Sequence, residues 1–260
     1  MPTGCKKGVA VNRSSQEQVI ETRELVYQAG PDACDGYLAE PAGHDGRHPG
    51  VLVLHEWWGH NAYVRHRAEQ LAELGYTALA VDMFGSGRTA DTPDEAQALM
   101  QGLMGDPATV RRRFHAARDQ LLEQPGVDPH RLAAIGYCMG GGIVLDMARA
   151  GEALAGVVAF HGTLGATEPA KPGKVRARVL ALIGSEDAFS PTAEQDAFER
   201  EMRAAGADYE LVRYPGVQHA FTNPAVDAKA AKYGLPLAYD AAADHDSWQR
   251  MRDFLQHIFA

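Results

Sequence analysis

A single-domain, doubly wound α/β fold with a mostly parallel sheet is the architecture the sequence predicts, and three observations carry it. From residue 50 onward, short continuous apolar runs alternate with longer segments of helical periodicity. That is the pattern of strands buried on both faces by crossover helices. Ahead of residue 50, two short segments flank Pro31-Asp32 and read as an N-terminal antiparallel strand pair. No internal repeat and no long Pro/Gly/Ser linker interrupts the chain, so residues 21–260 are expected to form one domain.

The elements follow in order. Glu21 to Tyr27 and Gly36 to Glu40 form the strand pair, and Gly50 to Leu54 is the first buried parallel strand. Tyr76 to Met83, Leu132 to Gly136, Ala155 to His161, Val179 to Gly184 and Tyr209 to Tyr214 repeat its pattern. The clearest helix follows Asp106-Pro107, a capping residue and a proline pre-set for the first helical position. Its apolar face runs Val110, Phe114, Ala117, Leu121. A closing amphipathic helix spans Ser247 to Phe259 on Trp248, Met251, Phe254, Leu255 and Ile258. Residues 1–20 are polar with no apolar run; they are expected to be a flexible extension rather than a secretory signal.

Charge excludes whole classes of partner. Twenty-five Lys and Arg against 34 Asp and Glu leave a net charge of −9, and no basic run exceeds Arg111-Arg112-Arg113. Neither nucleic acid nor an anionic membrane is an expected partner, and no stretch approaches a membrane span. Cys5, Cys34 and Cys138 cannot all pair and none lies in CxxC spacing, which points to a reducing, cytoplasmic setting. The sequence leaves monomer and homodimer equally open.

In doubly wound sheets, chemistry sits beyond the carboxyl ends of the strands. After Leu132 to Ile135 comes Gly136-Tyr137-Cys138-Met139-Gly140-Gly141 and then a helical stretch, Ile143 to Ala150. This is a G-x-nucleophile-x-G elbow with cysteine in the nucleophile position. Flanking glycines are needed because a side chain there would strike neighbouring backbone, and the helix N-terminus behind the sulfur favours a thiolate. A thiol nucleophile needs a base, and the base an orienting acid. Asp187 follows the strand Val179 to Gly184, 49 residues after Cys138, with Glu186 beside it as a rival acid. His219 follows the strand Tyr209 to Tyr214, 32 residues later again. Nucleophile, acid and histidine thus come in the chain order this fold uses.

Three segments together resemble the dienelactone hydrolase family of α/β-hydrolases: His55-Glu56-Trp57-Trp58-Gly59, Gly136 to Gly141, and Gly216 to Phe221. They are spread across nearly all of residues 21–260. The resemblance implies Cys138 as nucleophile, His219 as base, Asp187 as its orienter and Glu56 as a carboxylate that modulates the thiol. It implies an oxyanion hole from the backbone N–H groups of Met139 and Trp57, and no cofactor or metal. Founding members bind a substrate carboxylate with two arginines; the corresponding positions here read Ser86 and Asn223. Arg88, two residues beyond Ser86, is the one arginine expected to reach the pocket. Trp58, Phe221 and His161 are expected to line it.

The expected function is therefore hydrolysis of small esters or lactones through a thioester intermediate, with neutral aryl esters favoured. Neutral aryl phosphotriesters and dienelactone itself are the alternative substrates, and a catalytically silent binding protein is the alternative outside enzymes. His55 and His60 do not form a zinc motif. Five residues on a helix turn about 140° away from the starting face, and this segment leaves a strand.

Overall fold

Apolar runs in this sequence show no alternation because both faces of their strands are covered. In the computed structural model, residues 19–43, 46–166 and 168–260 are described. The expectation for residues 1–20 falls outside them as far as residue 18, and Ile20 already belongs to the first strand. β1 (Ile20–Ala29) and β2 (Asp32–Pro41) form an antiparallel hairpin with Ala29 opposite Asp32. The remaining strands are β3 (His48–Leu54), β4 (Thr77–Val81), β5 (Val127–Tyr137), β6 (Gly156–Phe160), β7 (Arg178–Gly184) and β8 (Tyr209–Tyr214). All eight lie in one sheet, ordered β1-β2-β4-β3-β5-β6-β7-β8. Only the β1–β2 and β2–β4 pairings are antiparallel.

Successive residues of a strand face opposite sides of the sheet, so each buried strand feeds two cores. Leu52, Leu54, Leu79, Val81 and Val157 pack on one side. There they meet α3 (Pro107–Leu122), α4 (Met139–Ala150) and α5 (Thr192–Ala205) through Phe114, Ile143 and Phe198. Val51, Val53, Ala80, Ile135 and Leu182 pack on the other side, with Val64 and Leu71 of α1 (Ala62–Glu73) and Met251 and Leu255 of α7 (Ala241–Ile258). Burying one such Leu, Val or Phe contributes about 1.5–3 kcal/mol. α2 (Pro93–Met104) packs on α3, and α6 (Val226–Tyr233) is a short helix after β8. Among the described residues no helix is long and apolar enough to cross a membrane.

The cap expected for α3 forms: Asp106 Oδ1 accepts from the amides of Ala108 and Thr109. Elsewhere tertiary contacts shift the boundaries. The run Tyr76 to Met83 yields strand only over Thr77–Val81, because the Asp82 carboxylate accepts from the amides of Asp35, Phe84, Gly85 and Gly87 and turns the chain. α7 begins at Ala241 rather than Ser247, capped by Asp240, whose Oδ1 accepts from Ala243 N at 2.9 Å. Its first turn is alanine-rich, so propensity extends a helix that the apolar stripe does not mark.

Candidate active site

The residues singled out in the sequence lie in loops after strand ends on the carboxyl edge of the sheet. That edge is also where the backbone is strained. Among the described residues the non-glycine positions with positive φ are Ser86, Cys138, His161 and Ala220, in the loops after β4, β5, β6 and β8. Such conformations cost about 1–3 kcal/mol each and persist where surrounding structure enforces them. Cys138, at φ 54° and ψ −117°, is the residue between β5 and α4. The glycines around it are sterically required: a Cβ on Gly136 would lie 2.1 Å from Gly140 O, and one on Gly140 would lie 2.5 Å from Leu54 O. Both obstacles are backbone and cannot give way.

Cys138, His219 and Asp187 come together at this edge. His219 Nδ1 stands 2.7 Å from Asp187 Oδ2 with both side chains buried. The other carboxylate oxygen, Oδ1, accepts from the amides of Phe189 at 2.8 Å and Ser190 at 3.2 Å. The carboxylate is therefore fixed from both sides. Burial alone would lower the His219 pKa. The charge of the Cys138 sulfur, its hydrogen bond to His219 and the Asp187 carboxylate outweigh burial and raise it to about 10. Glu186, the rival acid, faces solvent. Cys138 itself is partly exposed, as a nucleophile reached from solvent requires. Met139 opens α4, so its N–H is one of those a helix leaves unpartnered. Neither it nor Trp57 N donates to another backbone group among the described residues.

Glu56 is buried, and burial pushes its pKa up against the pull of Asn223, His219, Lys229 and Arg67. Its partner is Asn223, whose Nδ2 donates to Glu56 Oε2 at 2.7 Å. Folding favours the protonated carboxyl. Its stability contribution is thus complete below the ordinary carboxylate pKa and lost as pH rises through the higher folded value. Glu56→Gln, neutral at every pH and able to accept from Asn223, is expected to melt above wild type at pH 8 and level with it at pH 4. The pH–rate profile is expected to shift as well, because His219 loses a titrating neighbour. A Tm difference constant from pH 4 to pH 8 would count against a raised Glu56 pKa.

The profile of the dienelactone hydrolase family matches residues 34–259. The chain belongs to the dienelactone hydrolase family. It is 34% identical to a dienelactone hydrolase-like promiscuous phosphotriesterase from metagenomic libraries, with a TM-score of 0.84 over 92% of this chain and 98% of that one. The solved structure of m3DLH is 39% identical, with a TM-score of 0.87 over 93% of this chain and 99% of that one. A Yersinia pestis protein carrying the provisional name carboxymethylenebutenolidase is 30% identical over 94% of this chain and 91% of its own. Membership in the dienelactone hydrolase family makes the protein an ester or lactone hydrolase acting on small molecules.

Against the pocket expected for a dienelactone hydrolase, several residues differ. Arg88 turns onto its own loop, away from Cys138, Asp187 and His219. Its guanidinium donates to the carbonyls of Phe84 and Gly85, and it lines, with Asp32 and Arg113, a cleft that contains none of Cys138, Asp187 and His219. Ser86 is exposed, its amide bonded to Ala33 O. Phe221 and His161 are fully buried and meet edge to face at 5.3 Å, so they back the site rather than line it. Trp58 is buried too, edge-on to the partly exposed Trp57 at 4.9 Å.

Two residues absent from the sequence reading join the site. Phe189, exposed, lies 4.8 Å from the His219 ring; its position two residues beyond Asp187 was the available signal. Lys229 of α6 sets its ammonium 3.4 Å from the centre of the Trp58 ring. Nothing local in the sequence marks it. Among the described residues no three His, Cys, Asp or Glu side chains are grouped to hold a metal ion. His55 Nε2 meets Met83 N, and His60 Nε2 meets Ala80 O.

Proposed function

We propose that this protein is a cysteine-dependent hydrolase of neutral aryl esters, working through Cys138, His219 and Asp187. The observation that carries the reading is His219, held by Asp187 at 2.7 Å on one nitrogen, on the same sheet edge as Cys138 on its strained elbow. The Cys138 thiolate attacks the ester carbonyl carbon, and the carbonyl oxygen takes up negative charge facing the amides of Met139 and Trp57. Each such donor contributes roughly 3 kcal/mol in comparable sites. His219 gives its proton to the departing aryloxide as the C–O bond breaks, leaving a thioester on Cys138. It then takes a proton from water, the resulting hydroxide attacks the thioester, and the thiolate is expelled. The free thiols of Cys34 and Cys138 fit a reducing compartment such as the cytoplasm.

Charge favours neutral substrates. Where the family's second arginine stands, Asn223 is committed to Glu56. Arg88 is committed to backbone carbonyls. Lys229 is a single cation, covered on one side by Trp58 and opposed by the charge of Glu56. Phe189 and Trp57 supply partly exposed aromatic surface for an aryl group. Neutral aryl phosphotriesters are a second substrate class, supported by the relative described as a promiscuous phosphotriesterase.

The test compares kcat/KM for 4-nitrophenyl acetate, diethyl 4-nitrophenyl phosphate and an anionic dienelactone. The neutral ester is expected to exceed the anionic lactone by more than about tenfold, or 1.4 kcal/mol. The reverse order would overturn the neutral-pocket reading and give the arginines' work to Lys229.

A further inference from the structure

Behind the candidate triad lies a buried polar chain that the proposed mechanism does not use. Thr222, fully buried, sits between His219 and Asn223 in sequence. Its Oγ1 stands 2.7 Å from His161 Nε2 and 2.6 Å from the Tyr63 hydroxyl. Its carbonyl accepts from Arg67 at 2.7 Å and from Tyr63 at 3.2 Å. Arg67 is itself held by Asp244 of α7 at 2.6 Å. α1 and the residue after β6 therefore converge on one residue of the 219–223 segment, and α7 braces it through Arg67. That segment carries both the imidazole facing Cys138 and the amide holding Glu56.

His161 is an expensive residue for packing alone. Its backbone has φ 39°, its ring is fully buried, and among the described residues its Nδ1 finds no hydrogen-bond partner. An unpartnered buried polar atom is a cost that phenylalanine in the same space would avoid. What phenylalanine lacks is the contact to Thr222. The His161 ring also stands at 70° to the His219 ring, 5.2 Å away, so whatever fixes His161 bears directly on the His219 imidazole.

We propose that Thr222 and His161 are positioning residues, the Thr222 hydroxyl locking the 219–223 segment so that His219 and Asn223 are presented together to Cys138 and Glu56. Neither touches the reacting atoms. Their loss acts through alignment, and small misplacements of a base lower the rate steeply without weakening ground-state binding. The proposal rests on the Cys138–His219 reading above.

Four variants of the full chain test it: Thr222→Val, Thr222→Ser, His161→Phe and the control Cys138→Ala. Readouts are kcat and KM for 4-nitrophenyl acetate, Tm, and the pH dependence of iodoacetamide alkylation of Cys138. Thr222→Val is expected to lose about tenfold or more in kcat with KM nearly unchanged, and to shift the alkylation profile. Thr222→Ser is expected to recover most of the loss. His161→Phe is expected to be at least as heat-stable as wild type and still slow, which keeps the test decisive if Thr222→Val folds poorly. Wild-type kcat and alkylation in folded His161→Phe would overturn the proposal, as would Thr222→Ser as slow as Thr222→Val. Activity retained in Cys138→Ala would instead overturn the reading of the site itself.

Discussion

Cys138→Ala is expected to lower kcat/KM toward an aryl ester by on the order of 10⁴-fold or more, with Tm almost unmoved. Alanine keeps the Cβ of the elbow and so meets the same backbone at φ 54°. Only the sulfur is lost, and with it the thioester route. On the proposed reading, whatever rate survives measures the Met139 and Trp57 amides acting on water attack alone. Cys138→Ser is also expected to be slow. A hydroxyl is far less acidic than a thiol, so a site built around a thiol gives a serine too little base activation. Initial rates and melting curves on purified variants decide the matter. More than about a tenth of wild-type activity in folded Cys138→Ala would remove this residue from the mechanism.

Asp187→Asn is expected to cost about 10³–10⁴ in kcat, and the geometry says why the amide is a poor replacement. The carboxylate accepts on both oxygens: His219 Nδ1 on Oδ2, and the amides of Phe189 and Ser190 on Oδ1. An amide offers one acceptor and one donor. With its oxygen toward the loop, its NH₂ faces His219 Nδ1 and selects the tautomer that carries its proton toward Cys138. With its oxygen toward His219, the NH₂ confronts two buried backbone N–H groups. The first arrangement removes the base and the second destabilises the loop after β7, so kcat or Tm falls in either case. A folded Asp187→Asn variant within tenfold of wild-type kcat and with unchanged Tm would show that His219 needs no acid behind it.

How much of the site can be read from sequence depends on the separation of the residues concerned. The elbow is local: Gly136 and Gly140 lie within a few residues of Cys138, and the steric reason for them holds in any strand–turn–helix of this geometry. Asp187 and His219 are far apart but each marks its own strand end, so topology brings them together once the parallel sheet is recognised. The choice of Asp187 over Glu186 is different. It depends on which of two adjacent side chains points inward, and only the packing of the loop after β7 fixes that.

The sequence by itself determined the doubly wound fold, the strand ends that matter, the order of nucleophile, acid and histidine, and the family. Apolar periodicity and glycine sterics are properties of a few neighbouring residues, while the family follows from the resemblance of three separated segments and the order of candidate nucleophile, acid and histidine from the strand ends each of them marks. Tertiary structure alone decided that Asn223 holds Glu56 across 167 residues, that Lys229 lies on Trp58, that Arg88 turns onto its own loop, and that Thr222 is gripped by α1 and His161. Those pairings follow from which side chains share a buried volume. No pattern along the chain encodes that volume until the two cores have closed on the sheet.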